Sequence, residues 1–381
     1  MPALPPATSE RFLMGIYETL GIKTRINAAA CYTALGGSLM ASEVLQAMND
    51  AAKSFISLHE LQQKAGERIA SLTKNEGAFI TTGAAAGIVL SILACRTRGD
   101  LVEIQKIIDG NAKRSEVIMY TGHRIPYDSN IRVAGSDLVT VGDAIQTFDY
   151  QLEAKINEDT SAIFFCAGAH LAGPALSLER TVEIAQKYSI PVIVDAAAQL
   201  PPVTNLWHFT HEMGADLAIF SGGKALRGPQ SSGLVVGKRE FIEAIRVNAA
   251  PYARLGRGFK ASKEEIAGLM TAIELYLAKD HGADWQRWSK TVDAWFEALN
   301  GKTACKIWRD DVNEAGQPTP RIAIQLSNPN ALEIISKLQS LDPIVEVVHD
   351  SRRMIWISPD SLQAGEEKIV ITQLLKALPT K

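Results

Sequence analysis

Between residues 78 and 236 the chain alternates short, unbroken apolar runs with stretches of helical periodicity. The apolar runs fall at 78–82, 116–120, 138–141, 161–166, 191–195, 216–220 and 233–236, and helical patterns at 84–95, 143–156 and 178–188. Runs without in–out alternation belong to strands buried on both faces. Strands joined through helices run parallel. The expected fold class is therefore α/β, with a mostly parallel sheet covered by helices on both sides. The last run follows its predecessor with no room for a helix, so an antiparallel placement is expected there.

The flanks read differently. Residues 1–25 suggest a polar arm and a short helix, followed by a small-residue turn region over 26–37. Helices are expected from about Ser42 and over 58–73. Beyond residue 250 come long helices at 262–281 and 284–300. Strands at 304–309, 321–326, 344–348 and 354–358 then mix with helices at 330–340 and 364–377, an α+β pattern. A chain of 381 residues is too long for one simple core. The expected division is an N-terminal arm (1–45), a large domain (46–250) and a smaller α+β C-terminal domain (251–381). Pro251, Gly256 and Gly258 mark the boundary.

A net charge of −3, with basic residues scattered, argues against nucleic-acid and membrane-surface partners. The cysteines, Cys31, Cys95, Cys166 and Cys305, lack metal-ligand spacing, and Cys95 and Cys166 read as buried free thiols. His208 and His211 have no third ligand in view, so no metal site is expected. Trp285, Trp288 and Trp295 fall at helical spacing and suit packing or a subunit contact. The sequence opens without the basic-then-apolar pattern of a signal peptide, and a reducing cytoplasm is the expected compartment.

Three segments could carry chemistry. Thr81-Thr82-Gly83-Ala84-Ala85-Ala86-Gly87 runs from a strand into a helix whose first turn is small enough for backbone amides to approach a phosphate. The same residues would also serve simple helix–sheet packing. Asp195 ends a strand where open α/β sheets bind ligands, and could hold a ring nitrogen protonated; it could equally cap a helix. Lys224 follows Ser221-Gly222-Gly223 between two apolar strands, a setting that depresses a lysine pKa and favours Schiff-base formation. An exposed hairpin lysine is the plainer reading. Together the three match what pyridoxal 5'-phosphate requires of a protein. His123, in a loop after the strand ending at Tyr120, could stack on a planar cofactor or be an ordinary loop histidine. Arg321 and Arg353 could grip a carboxylate bidentately, with Arg124 or Arg227 as alternatives.

The order of these segments resembles the selenocysteine-synthase-like (SelA-like) group of fold-type-I pyridoxal-phosphate enzymes, most nearly its D-glucosaminate-6-phosphate ammonia-lyase branch. The resemblance rests on Ile26-Asn27-Ala28-Ala29, Ala34-Leu35-Gly36-Gly37-Ser38-Leu39-Met40, Thr82-Gly83-Ala84-Ala85-Ala86-Gly87, and Gly122-His123-Arg124 with Pro126-Tyr127-Asp128. Val194-Asp195-Ala196-Ala197-Ala198-Gln199-Leu200-Pro201 and Ser221-Gly222-Gly223-Lys224 with Arg227-Gly228-Pro229-Gln230 complete it. It implies an aspartate-aminotransferase-like large domain and a homodimer or higher homo-oligomer. Lys224 would carry the cofactor and Asp195 would face its ring nitrogen. Thr82, Gly83, Ala84, Ala85 and Ser221 would hold its phosphate, and His123, Ala197 and Gln199 would lie about the ring. Arg353, Arg321 or Arg124 would take the substrate carboxylate. tRNA-dependent members carry an N-terminal tRNA-binding region; this chain shows only a short arm, so tRNA is not expected.

The expected activity is an ammonia-releasing α,β-elimination on an amino acid or amino sugar acid. A racemase or epimerase and a β-hydroxy amino acid aldolase share the first proton abstraction and stay open. A non-catalytic binding protein is the reading from another class, and retention of both Asp195 and Lys224 speaks against it.

Overall fold

The computed structural model describes residues 15–328 and 330–380. The start of the expected arm, residues 1–14, lies outside them. In chain order the strands are β1 (Arg25–Asn27), β2 (Gly77–Thr81), β3 (Glu116–Tyr120), β4 (Asp137–Val141), β5 (Thr160–Cys166), β6 (Val192–Asp195), β7 (Leu217–Ser221), β8 (Gly233–Gly237), β9 (Lys306–Asp310), β10 (Arg321–Gln325), β11 (Ile344–Glu346), β12 (Val348–His349) and β13 (Met354–Ile357). The chain divides into two compact units.

The larger unit holds residues 31–281 with 312–318. Its sheet has the order β2-β8-β7-β6-β5-β3-β4. All strands point one way except β8, which is antiparallel to both β2 and β7. Successive strand residues feed opposite faces, as a doubly covered sheet requires. Ile80, Ile118, Ile163, Val194 and Phe220 enter one core. Phe79, Val117, Phe164, Ile193 and Ile219 enter the other. Each such side chain, fully withdrawn from water, contributes on the order of 1.5–3 kcal/mol. The helix Gly83–Thr97 is buried along most of its length. Gly87 lets it lie against the sheet: a Cβ there would stand 3.0 Å from Ile219 Cγ2.

The smaller unit holds residues 15–30, 282–311 and 319–380. A four-stranded antiparallel sheet, ordered β12-β13-β10-β9, is joined by the parallel pair β1-β11. Val292, Trp295, Ile322, Ile324, Ile355, Ile357, Val370 and Leu374 form its core. The Trp295 indole N–H donates to the Glu367 carbonyl at 3.0 Å. Trp295 is thus a packing residue, while Trp285 is partly exposed.

The units are drawn differently from the expected domains. The helix Lys263–Ala278 packs on the helices Ser42–Ala52 and Leu58–Leu72, so the larger unit runs on past 250 to residue 281. Gly268 makes this contact close, since a Cβ there would stand 2.7 Å from Met48 Cγ. The pairing of β1 with β11 assigns residues 25–27 to the smaller unit. The expected helix over 143–156 shrinks to Asp149–Glu153. The Asp143 carboxylate accepts the N–H groups of Ile145 and Gln146, and that local turn replaces the first helical turns. Among the described residues no helix is long and apolar enough to cross a membrane.

Candidate active site

Topology brings the candidate residues of the larger unit together. The carboxyl ends of β2, β3, β6 and β7 lie on one edge of the sheet. At that edge β2 leads into Gly83, β3 into His123, β6 ends at Asp195, and β7 ends at Ser221, just before Lys224. Open α/β sheets bind their ligands there.

The loop between β7 and β8 is closed by backbone bonds. Gly222 N–H donates to Ser232 O, and Gly228 N–H to Gly222 O, at 2.9 and 2.8 Å. Its glycines serve close approach within the chain itself. A Cβ on Gly223 would stand 2.5 Å from Gln230 Cα, and one on Gly37 2.7 Å from Gly223 O. Ser38 N–H donates to Gly223 O at 2.9 Å, and the Ser38 hydroxyl is buried without a hydrogen-bond partner. Residues 37–38 thus brace the lysine loop, a role the sequence reading did not assign. Burial pushes the Lys224 amine below the ordinary lysine pKa, against the pull of Asp195 and Cys31. This is the state a Schiff-base lysine needs.

Asp195 is only 8% exposed. Its Oδ1 accepts the Ala197 N–H at 3.0 Å. Burial raises its pKa; the Ala197 bond and the Lys224 charge lower it. In sheet register Asp195 faces Cys166. Cys166 N–H in turn donates to His123 Nδ1 at 3.2 Å. That bond fixes the proton on Nε2, which is buried without a hydrogen-bond partner among the described residues. His123 is fully buried, edge-on to Tyr120 and Phe165, and burial pushes its pKa down to about 4. It is therefore neutral at physiological pH.

The Thr82 side chain makes no capping bond to the helix Gly83–Thr97, and a helix N-terminus left uncapped favours an anion. Gly83 has φ +83°, and near its missing Cβ stands only Ser231 O, at 3.6 Å. Ala84 and Ala85 add no bulk to this turn. Gln199 is buried, its backbone tied to Ala196 and Asn205. Ala197 and Ser221 are half-buried at the same edge.

The arginines divide between the units. Arg124 Nε donates to the buried Asp128 at 2.5 Å, which commits one face of that guanidinium. Arg227 has a left-handed backbone, φ +55°, in the lysine loop. Arg321 is buried in the smaller unit, 3.5 Å from Asp310 and over the Trp356 ring. Arg353 is exposed in the turn before β13, where Asp350 Oδ1 accepts its backbone N–H at 2.8 Å.

A family model described as SelA, L-seryl-tRNA selenium transferase, matches residues 25–286. The chain belongs to the SelA family. Within it, the chain is 36% identical to a D-glucosaminate-6-phosphate ammonia lyase of Salmonella typhimurium, over 94% of this chain and 96% of that one. A Streptomyces 5'-C-glycyluridine monooxygenase-decarboxylase is 32% identical, over 69% of this chain and 65% of that protein. A solved D-glucosaminate-6-phosphate ammonia-lyase superposes with a TM-score of 0.82 at 29% identity, covering 96% of this chain and 98% of that chain. The fold is that of fold-type-I pyridoxal-phosphate enzymes, as the sequence resemblance implied.

Three features of the site suit such a cofactor. The helix start without a side-chain cap and the space beside Gly83 leave room for a phosphate, the buried Asp195 stands at the strand end within reach of the Lys224 charge, and His123 Nε2 is a buried donor with no acceptor among the described residues.

Proposed function

We propose that this SelA-family chain is a pyridoxal-phosphate-dependent ammonia lyase acting on a 2-amino-3-hydroxy acid of the amino sugar acid class. The observation that carries the reading is Lys224 and Asp195 on one sheet edge, in a chain related over nearly its whole length to a D-glucosaminate-6-phosphate ammonia lyase. The cofactor, when bound, supplies a protonated ring that takes up the electron pair left at Cα. The residues present do the rest. Lys224 would anchor the cofactor and would take the Cα proton on Nζ. Asp195 would keep the ring nitrogen protonated. The Thr82–Ala85 turn and Ser221 would hold the phosphate, and His123, Ala197 and Gln199 would lie about the ring. Arg353 takes the substrate carboxylate; a planar guanidinium orients the Cα–H bond better than a point charge would. Arg321 and Arg124 are already partnered by Asp310 and Asp128, which favours Arg353.

The chain acts as a homodimer or larger homo-oligomer in this reading. Supporting it, Leu39, Leu45, Phe55 and Ile56 of the larger unit are exposed, Phe55 fully so. Uncovered apolar side chains clustered in sequence mark interaction surfaces.

The test incubates holoenzyme with amino acids and amino sugar acids in deuterated water. Ammonia and a 2-oxo acid from a 3-hydroxy substrate support the lyase. Exchange at Cα with inversion and no ammonia would replace it with a racemase, and aldehyde release with an aldolase. Absence of a borohydride-reducible absorbance band would overturn the whole reading.

A further inference from the structure

We propose that His170 is the acid that protonates the departing β-hydroxyl, and that the segment 312–318 positions it. This rests on the elimination reading above. Removing hydroxide from Cβ needs a second proton transfer besides the one at Cα, because hydroxide is a poor leaving group.

The groups already placed at the edge are unsuited to it. Lys224 is occupied at Cα. His123 is neutral and, in that reading, committed to the cofactor ring, and Asp195 is buried and tied to Ala197. The Cys166 thiol is buried beneath the edge. His170 is different: it is exposed, on the loop that leaves β5 directly after Cys166, the register partner of Asp195. Its ring and the Gln199 amide converge on Gly168. From the point where a Gly168 Cβ would stand, His170 Cε1 is 2.9 Å away, His170 Nδ1 3.2 Å and Gln199 Nε2 3.5 Å. The imidazole thus sits beside a residue of the proposed cofactor site, with access to water for proton resupply.

The loop that carries it is held at both ends. Ala167 N–H donates to Asp195 O at 3.0 Å, and Leu171 N–H to Gly168 O at 3.0 Å. Residues 312–318, between β9 and β10, belong to the larger unit and clasp the middle. Ala169 N–H donates to Ala315 O at 3.1 Å, and the Gln317 amide donates to Leu200 O. Gly316 has φ +82°, and a Cβ there would stand 2.8 Å from Ala169 Cβ. Asn313 Oδ1 closes the clasp by accepting the N–H groups of Ala315 and Gln317.

In the step, Lys224 Nζ holds the proton taken from Cα. The Cα electron pair becomes the Cα=Cβ bond as the Cβ–O bond breaks. The oxygen leaves with its pair, takes a proton from the His170 imidazolium and departs as water. The neutral imidazole recovers a proton from solvent or from the Lys224 ammonium. Lys224 Nζ, having given up its proton, then displaces the product nitrogen and retakes its own place, and tautomerisation and hydrolysis of the freed enamine consume one water, giving the 2-oxo acid and ammonia.

The experiment compares wild-type and His170→Gln holoenzymes on a 2-amino-3-hydroxy sugar acid phosphate and on β-chloroalanine, whose chloride departs unprotonated. The variant is expected to lose about 10²–10⁴-fold in ammonia release from the hydroxy substrate, and less than roughly threefold from the chloro substrate. Its Cα proton exchange on the hydroxy substrate, and its cofactor dissociation constant by absorbance titration, stay at the wild-type level. Gly316→Val, which displaces Ala169, shows the same selective loss. Equal loss on both substrates, or none on the hydroxy one, overturns the assignment. Wild-type enzyme that eliminates chloride but never releases ammonia from a 3-hydroxy substrate instead overturns the lyase reading beneath it.

Discussion

At the scale of single residues, the site is a balance of burial against charge. Lys224 loses its proton more readily than a lysine in water because burial outweighs the attraction of Asp195. Lys224→Ala is expected to abolish the borohydride-reducible band and drop ammonia release by at least about 10³-fold, with the far-ultraviolet spectrum unchanged. Asp195→Asn tests the other half. The variant should bind cofactor yet slow Cα exchange by about 10²-fold or more, measured by deuterium incorporation, because a neutral ring is a poor electron sink. His123 makes a third prediction through pH. Its folded pKa, about 4, lies below the ordinary 6.5 of imidazole. The unfolded chain binds a proton that the folded chain refuses, so this contribution is whole above pH 6.5 and is lost as pH falls toward 4. Cofactor-free protein should lose about 2 kcal/mol from this group between pH 7 and 5 in urea titrations, and His123→Phe should lack that component.

At the scale of elements, the start of β8 packs against the turn proposed to hold the phosphate. A Cβ on Gly233 would stand 2.4 Å from the Gly83 carbonyl carbon and 2.7 Å from Ala84 N. Gly233→Ala is expected to push the cradle off the sheet and weaken cofactor binding by at least about tenfold in an absorbance titration, with little change in the Lys224 loop. Much of this level could be read in advance. β3, β5 and β7 fall within a residue of their apolar runs, because strands buried on both faces leave an uninterrupted hydrophobic signature. The antiparallel setting of β8 followed from the short loop before it. The roles of residues 37–38 and of Gly168 were hidden for a common reason. Each depends on contact between segments far apart in sequence, and neither Gly nor Ser announces its partner. The clasp at 312–318 was illegible too, since a short polar loop between two strands reads as solvent-facing until its hydrogen bonds are seen. The helix expected over 143–156 failed on a local competitor, the Asp143 carboxylate.

At the scale of the whole molecule, the division into units departs from the sequence expectation for physical reasons. Helix 263–278 packs on helices of the larger unit, so that unit runs on past the Pro- and Gly-rich stretch near 251, and β1 pairs with β11, which puts residues 25–27 in the smaller unit. The exposed Leu39, Leu45, Phe55 and Ile56 belong to this scale as well. Sedimentation equilibrium is expected to give at least a dimer at assay concentrations. Phe55→Asp should shift it toward monomer and lower activity in proportion; an active wild-type monomer would remove the oligomer from the proposal.

The reversed direction of β8 bears on how the protein is made. Among the described residues β2 lies at the sheet edge and hydrogen-bonds to no strand but β8, which emerges from the ribosome long after it. Such a non-local pairing is slow, because the intervening chain must first be gathered in. The proposed phosphate turn after β2 and the lysine loop before β8 are therefore expected to gain their final form together, when residues 233–237 pair with both β2 and β7. A nascent chain lacking that strand carries both halves of the proposed cofactor site without the strand that joins them, so in this reading cofactor capture waits on completed folding.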